Sequence, residues 1–251
     1  MKKSVTITDL TRMSGPRVCI AGYLPDGTCV RPVFEKGQLE DFWLFQKGQV
    51  AIQPFAMIEF EMGATISRPP HTEDVVIDPR YRRTGMLPPD QREAFLARIN
   101  DGNVADIFGA EIHDDHGYYV LFGEGNRSLG TTRPQRVGEV LYFARESGKW
   151  DYRLAFDDGS GKHYRLAVTD LAFCNYLDYR RTHENAPPHE IARALTQQLQ
   201  GAHVFLRVGL ARNWQEHPDK CHLQINGVYS FPDYLDGRCF ADFEAQGPAG
   251  G

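Results

Sequence analysis

The sequence has no apolar run approaching the roughly 20 residues that cross a bilayer, so no membrane partner is expected. After Met1-Lys2-Lys3-Ser4 there is no apolar stretch or small-residue cleavage site, and no signal peptide is expected. The five cysteines are odd in number and scattered, which excludes a disulfide framework. Cys19, Cys29, Cys174 and Cys221 sit among apolar neighbours and read as small hydrophobes. A cytoplasmic location is therefore expected. Positive charge is also short. Lys and Arg number 28 against 33 Asp and Glu, a formal net charge of -5. That argues against duplex DNA held by bulk charge alone but leaves room for a local basic groove.

Familiar catalytic signatures are missing as well. Gly159-Ser160-Gly161-Lys162 lacks the earlier glycine of a phosphate-binding loop and falls between strand-like segments. There is no Gly-x-Ser-x-Gly elbow. Phe231-Pro232-Asp233 could open a Pro-Asp…Asp/Glu-x-Lys nuclease, but the last lysine is Lys220, upstream of it. No Cys-x-x-Cys occurs, and His217, Cys221 and His222 do not have paired zinc-ligand spacing. No catalytic residue, metal or cofactor is assigned. The length of 251 residues suits one large domain or two small ones, and an apolar content of 41% with 12% aromatics marks a folded chain.

What is present is mainly β signal with a few short helices. Hairpins are expected around Pro25-Asp26-Gly27, around His113-Asp114-Asp115-His116-Gly117, and around Asp157-Asp158-Gly159-Ser160-Gly161. Two further apolar strands flank the polar loop after Arg212. Residues 137–144 read as a strand, Thr8-Asp9 as the cap of a turn or short helix, and 67–89 as mainly loop. Asp90 and Glu93 have the spacing of a capping box ahead of a helix through Ala94, Phe95, Leu96 and Ile99. A helix is expected through Phe173, Tyr176 and Leu177. Another is expected over 189–200, with Ile191, Ala194, Leu195 and Leu199 as its apolar stripe. From Gln246 the tail is expected to fray.

The two halves echo each other. Thr8-Asp9-Leu10 precedes Arg17–Tyr23, a polar turn and Cys29–Val33, and Thr169-Asp170-Leu171 precedes the strands at 204–211 and 221–231. The echo predicts two similar β-barrels, around 5–62 and 137–235. In domain terms, residues 1–89 form the first, 90–136 a connecting helix and hairpin, and 137–251 the second, with the 189–200 helix inserted.

Arginines inside apolar strands carry most of the functional information. Alternation puts Phe205, Arg207, Gly209 and Ala211 on one face of a strand, a shallow platform suited to a nucleic-acid strand. Arg31, Arg207, Arg212, Trp214 and Tyr229 would supply the contact, and Arg80, Arg82 and Arg83 would follow phosphates. The other reading makes the same arginines carboxylate partners that tie the barrels together, with Glu59, Asp170 or Asp233 as examples. Composition does not separate the two. His71, Glu73 and Asp74 form a second candidate site, a carboxylate–imidazole cluster of the kind that holds a hard cation for hydrolysis. Its bland alternative is a set of turn caps and pairs with Arg80, Arg82 and Arg83. His113 and His116 read as a polar hairpin tip.

Several stretches taken together resemble a bacterial family described as the dual OB-containing domain. They are Ile7–Met13, Arg17–Gly22, Val30–Val33, Pro69–Asp74, Val168–Leu171, Leu206–Arg212 and Cys221–Asp233. The resemblance covers about 5 to 235 and implies two OB-like barrels packed side by side and nucleic-acid binding, without an established reaction. Asn213 departs from the pattern, which has proline there. Three functions follow: non-catalytic binding of single-stranded or unpaired nucleic acid, a metal-assisted hydrolase or nuclease using the 71–74 stretch, and a protein–protein interaction or sensor module.

Overall fold

A computed structural model describes residues 1–244. The tail expected to fray from Gln246 lies outside the described residues.

The first half begins with β1 (Lys2–Arg12), β2 (Val18–Tyr23) and β3 (Cys29–Val33). A small hairpin, β4 (Phe45–Gln46) and β5 (Gln49–Val50), leads to β6 (Ala56–Arg68) and β7 (His71–Met86). The strands close in the order β1-β2-β3-β7-β6, with β3 and β7 parallel and β6 returning to β1. Its core holds Val5, Ile7, Ile20, Ile58 and Phe60, all fully buried.

The connecting residues form α1 (Pro89–Arg98), α2 (Val104–Phe108), the hairpin β8 (His113–Asp114) and β9 (Tyr118–Leu121), and β10 (Leu129–Thr132). Then come β11 (Arg136–Ala144), β12 (Trp150–Asp157), β13 (His163–Val168), α3 (Leu171–His183), α4 (Pro188–Gln200), β14 (His203–Leu210) and β15 (Lys220–Phe231). The second sheet runs β11-β12-β13-β15-β14, with β13 and β15 parallel. That repeats the strand order of the first barrel. Here β14 does not close onto β11. It pairs with β10 instead, and α4 packs on β11, where Thr196 Oγ1 accepts the Val140 N–H at 2.9 Å. The fold is thus mainly β, one closed and one opened OB-like barrel.

Several sequence expectations are corrected. Residues 67–89 are mostly the end of β6 and all of β7, joined by a turn at Pro69-Pro70. Thr8 and Asp9 lie within β1 and cap nothing. Helix α1 starts at Pro89, whose ring presets the first helical φ, and no side chain caps it. Glu93 turns instead to His203 Nδ1 at 2.7 Å. On α4 the stripe uses Ala192, while Ala194 faces solvent.

The echo itself is out of register. By strand order, the β2–β3 hairpin corresponds to β12–β13, and β14–β15 corresponds to β6–β7. Thr8-Asp9 sits in the first strand of one barrel, and Thr169-Asp170 follows the third strand of the other. The two segments are not equivalent but touch: Thr11 bridges Asp170, and the Arg12 N–H donates to Thr169 O at 2.7 Å.

Candidate nucleic-acid interface

The strand arginines converge on the joint between the barrels. Strand β14 is buried from Val204 to Leu210, because the first barrel covers the face that alternation assigns to a ligand. A bulge in β15 leaves Asn226 unpaired opposite β14, since Arg207 faces Gly227 and Val208 faces Ile225. Arg207 is 0% exposed and crosses to the first barrel. Its Nε donates to Asp9 Oδ2 at 2.9 Å and one terminal nitrogen to Tyr23 Oη at 2.8 Å. The same nitrogen donates to Thr131 Oγ1 on β10 at 2.8 Å. Burial pulls the guanidinium pKa down, but the adjoining Asp9 carboxylate more than reverses this and leaves it well above the ordinary value. Arg207 therefore stays charged inside the protein.

Arg31, also buried, donates to Asp74 Oδ1 at 2.6 Å within the first barrel. Arg212, half exposed, reaches Asp74 Oδ2 from the second barrel at 2.5 Å. The carboxylates that pair with these arginines are thus Asp9 and Asp74, not Glu59, Asp170 or Asp233. Asp170 caps α3 by accepting from the N–H groups of Ala172 and Phe173, and its other oxygen takes the Val228 N–H. Burial drives its pKa up to about 7 despite these donors. Tyr229 donates to Thr8 O at 2.7 Å, and its ring lies 4.9 Å from that of Phe55. Neither Arg31 nor Arg207 presents a free surface to a strand, and Tyr229 is half-buried at the joint.

The 71–74 cluster is built into the same joint. Glu73 accepts from Ser128 N–H at 2.5 Å, Leu129 N–H at 3.0 Å and Ser128 Oγ at 3.0 Å. His71 is buried with Nε2 4.0 Å from Cys221 Sγ, and its Nδ1 has no partner. Burial, reinforced by Arg31 and Arg212, drives its pKa down to about 3 and keeps the ring neutral. His71 and Asp74 are buried, and Glu73, 6% exposed, borders a cleft of about 280 Å³ with both carboxylate oxygens already hydrogen-bonded. Among the described residues, no three His, Cys, Asp or Glu side chains gather as metal ligands.

Arg80, Arg82 and Arg83 are exposed on β7. Arg80 pairs with Asp78 at 2.8 Å, Arg82 with Glu59 at 3.2 Å, and Arg83 donates to Val50 O at 3.0 Å. Lys2, Glu59, Glu61 and Asp78 share this patch with Arg80 and Arg82, so its charge is mixed.

Trp214 is the exposed aromatic among the sequence candidates, 43% exposed on the β14–β15 loop. The structure gathers partners around it that sequence spacing missed. The rings of His217 and His222 each lie 5.3 Å from Trp214 and 5.5 Å from each other. Tyr119 lies 5.7 Å from His222 and stacks on His113 at 5.2 Å, and Lys220 Nζ sits 4.2 Å over the Tyr119 ring. Phe122, 48% exposed, is anchored to the same loop by its N–H to Asp219 O. Burial first, then His217 and Lys220, lower the His222 pKa, which keeps that ring neutral. The signal in the sequence was an aromatic and imidazole alternation across two loops, invisible until β9 paired with β15.

Among the described residues no helix is long and apolar enough to cross a membrane. A comparison with curated proteins finds no match. Similar solved structures include "Crystal structure of the tetrameric p202 HIN2". It is 11% identical, covers 92% of this chain and 90% of that one, and has a TM-score of 0.28, a likeness that bears on neither fold nor function. Residues 4–228 match the family described as "Dual OB-containing domain". With strands of both barrels inside that match, the chain belongs to the dual OB-containing domain family.

Proposed function

We propose that the protein is a non-catalytic binder of single-stranded or unpaired nucleic acid, and that the Trp214 face carries the contact. The observation behind this reading is the cluster of Trp214, His217, His222 and Tyr119, with Lys220 over one ring, on the β14–β15 loop and the adjoining hairpin. By strand order, this is the loop between the fourth and fifth strands of an OB barrel, a place where such barrels bind oligonucleotides. The equivalent turn of the first barrel, Pro69-Pro70, is short, and its Pro69 carbonyl accepts the Gly123 N–H. The exposed Trp214 ring stacks on bases of any identity, and Lys220 and the half-exposed Arg212 meet phosphates. Lys220 is half-buried and also pairs with the exposed Asp115 at 3.7 Å.

Fluorescence anisotropy with labelled single-stranded DNA, RNA and duplex at low salt tests the proposal. Single strands bind best, and affinity falls with salt. Trp214→Ala weakens binding by roughly tenfold or more, since base stacking contributes about 1–3 kcal/mol. Absence of binding to all three probes, or a Trp214→Ala variant that binds as the parent does, refutes it.

A further inference from the structure

At the opposite end of β15 from Trp214, a cleft of about 440 Å³ opens between the barrels. Its walls come from residues 53–55, Met86, the first turn of α1, the end of β15 and the segment 232–240. The volume falls within the roughly 300–1,000 Å³ of small-molecule sites. Phe55, Met86, Phe231 and Phe240 make much of the lining apolar.

The lining carries Arg92 and Arg238 beside Asp170, Asp233 and Asp236, and what sets the two kinds apart is their free hydrogen-bonding capacity. Both oxygens of Asp170 are taken by backbone N–H groups. Asp233 is spent the same way, on Leu235 at 3.1 Å and Gly237 at 3.0 Å. The two arginines keep free terminal N–H groups, although the Arg238 guanidinium lies 4.6 Å over the Phe243 ring. Arg92 donates its Nε to Leu87 O and Arg238 its Nε to Leu235 O, each at 3.2 Å. Among the described residues neither has a carboxylate within ion-pair distance. Asp236, the remaining acid, lies in water on the rim.

Arg92 is half-buried with its guanidinium 4.9 Å over the Phe55 ring. Burial lowers its pKa, and the more distant Asp233 does not restore it. Phe55 holds a left-handed backbone, φ 68°, pinned by its N–H to Ile7 O and by the Leu87 N–H to its carbonyl. That conformation is costly for an aromatic residue, and such strain concentrates at ligand sites.

We propose that this cleft binds a small organic anion with a planar apolar body, its charged head on Arg92 and Arg238 and its body against Met86 and Phe231. The head is a phosphate or a carboxylate, so the ligand is a nucleoside monophosphate or an aryl carboxylate. The site is separate from the Trp214 face and stands without it.

Isothermal titration calorimetry on the full chain with adenosine 5′-monophosphate, 2-naphthoate and neutral adenosine tests the assignment. At least one of the two anions binds one to one, and adenosine does not. Which anion binds identifies the head group. Arg92→Leu, which keeps an apolar stem, weakens binding roughly tenfold, the effect of losing one charge-assisted contact. Arg238→Ala, on the exposed segment, gives the same direction independently of α1 packing. Trp214→Ala leaves this binding unchanged while weakening oligonucleotide binding, which separates the two sites. The inference is overturned if neither anion binds, if adenosine binds as tightly as its monophosphate, or if both arginine variants bind as the parent does.

Discussion

Replacing Arg207 with methionine is the sharpest test of the joint. The side chain is 0% exposed and its partner Asp9 is 2% exposed. Methionine fills similar space but removes the donor to Asp9 and those to Tyr23 and Thr131. Asp9 keeps the Thr8 hydroxyl at 2.7 Å, but its Oδ1 already lacks a partner. An unpaired carboxylate is then enclosed, and breaking a buried pair in this way costs about 3–5 kcal/mol. For a chain of this length about 2–4 °C of Tm is lost per kcal/mol, so the midpoint falls by roughly 6–20 °C. Urea unfolding followed by tryptophan fluorescence and far-ultraviolet circular dichroism measures it. The double variant Asp9→Leu/Arg207→Met recovers most of the loss. It stays about 1–3 kcal/mol short, because Tyr23 and Thr131 no longer receive a donor. The resulting double-mutant cycle shows a coupling of at least about 2 kcal/mol. An Arg207→Met cost under about 1 kcal/mol with no coupling to Asp9 would refute the joint. A variant of full stability that loses oligonucleotide binding would return Arg207 to the role that its strand position suggests.

Three further outcomes are expected. His71 binds a proton less readily in the folded chain, its pKa falling from 6.5 to about 3, so it removes stability as pH drops below 6.5. Asp170 does the reverse: its pKa rises from 3.8 to about 7, so the stability it contributes is lost as pH climbs through that window. Unfolding midpoints of His71→Gln and Asp170→Asn measured from pH 4 to about 8 each lose one of these opposed slopes. An unchanged pH profile in both would refute the shifts. Gly22→Ala places a methyl carbon 2.2 Å from Thr6 O, a backbone atom that cannot step aside cheaply. A loss of about 1–3 kcal/mol is expected by thermal unfolding. Glu73→Ala strands the N–H groups of Ser128 and Leu129 and costs about 3 kcal/mol. Hydrogen exchange would register it first as faster exchange in β10, which those bonds hold against the first barrel.

The hairpins were readable because turn chemistry announces them: Pro25-Asp26-Gly27 and Asp158-Gly159-Ser160-Gly161 each need residues that bend or take positive φ. Strand β7 was not, because its outward half carries Asp78, Arg80, Arg82 and Arg83, which looks like a loop until β6 pairs beside it. Four register shifts between β6 and β7 further blur any alternation. The arginines were correctly singled out as charges in need of a partner. Alternation gives a side chain's face but not what covers that face, so Arg207 read equally as a platform and as a joint. Trp214 was legible as an exposed aromatic. Its companions on β9 lie about a hundred positions away in sequence, and no periodicity links them. The cleft near Arg92 left no sequence signal, since its lining is drawn from four separate stretches, 53–55, 86–92, 170–172 and 228–240.

The second barrel's failure to close on itself has a consequence for how the chain can be divided or inherited. β14 leaves its natural neighbour and takes β10, a strand encoded before the barrel begins, while Arg207 on β14 places its charge inside the first barrel. A fragment beginning at residue 137 would expose a bare sheet edge and an unmatched cation together, both of which favour aggregation. A fragment ending before it would leave Asp9 without Arg207 and Asp74 without Arg212. The two barrels therefore behave as one cooperative unit, and selection acts on the pair. Any ligand spanning both meets surfaces held at the separation that the Arg207–Asp9 and Arg212–Asp74 pairs set.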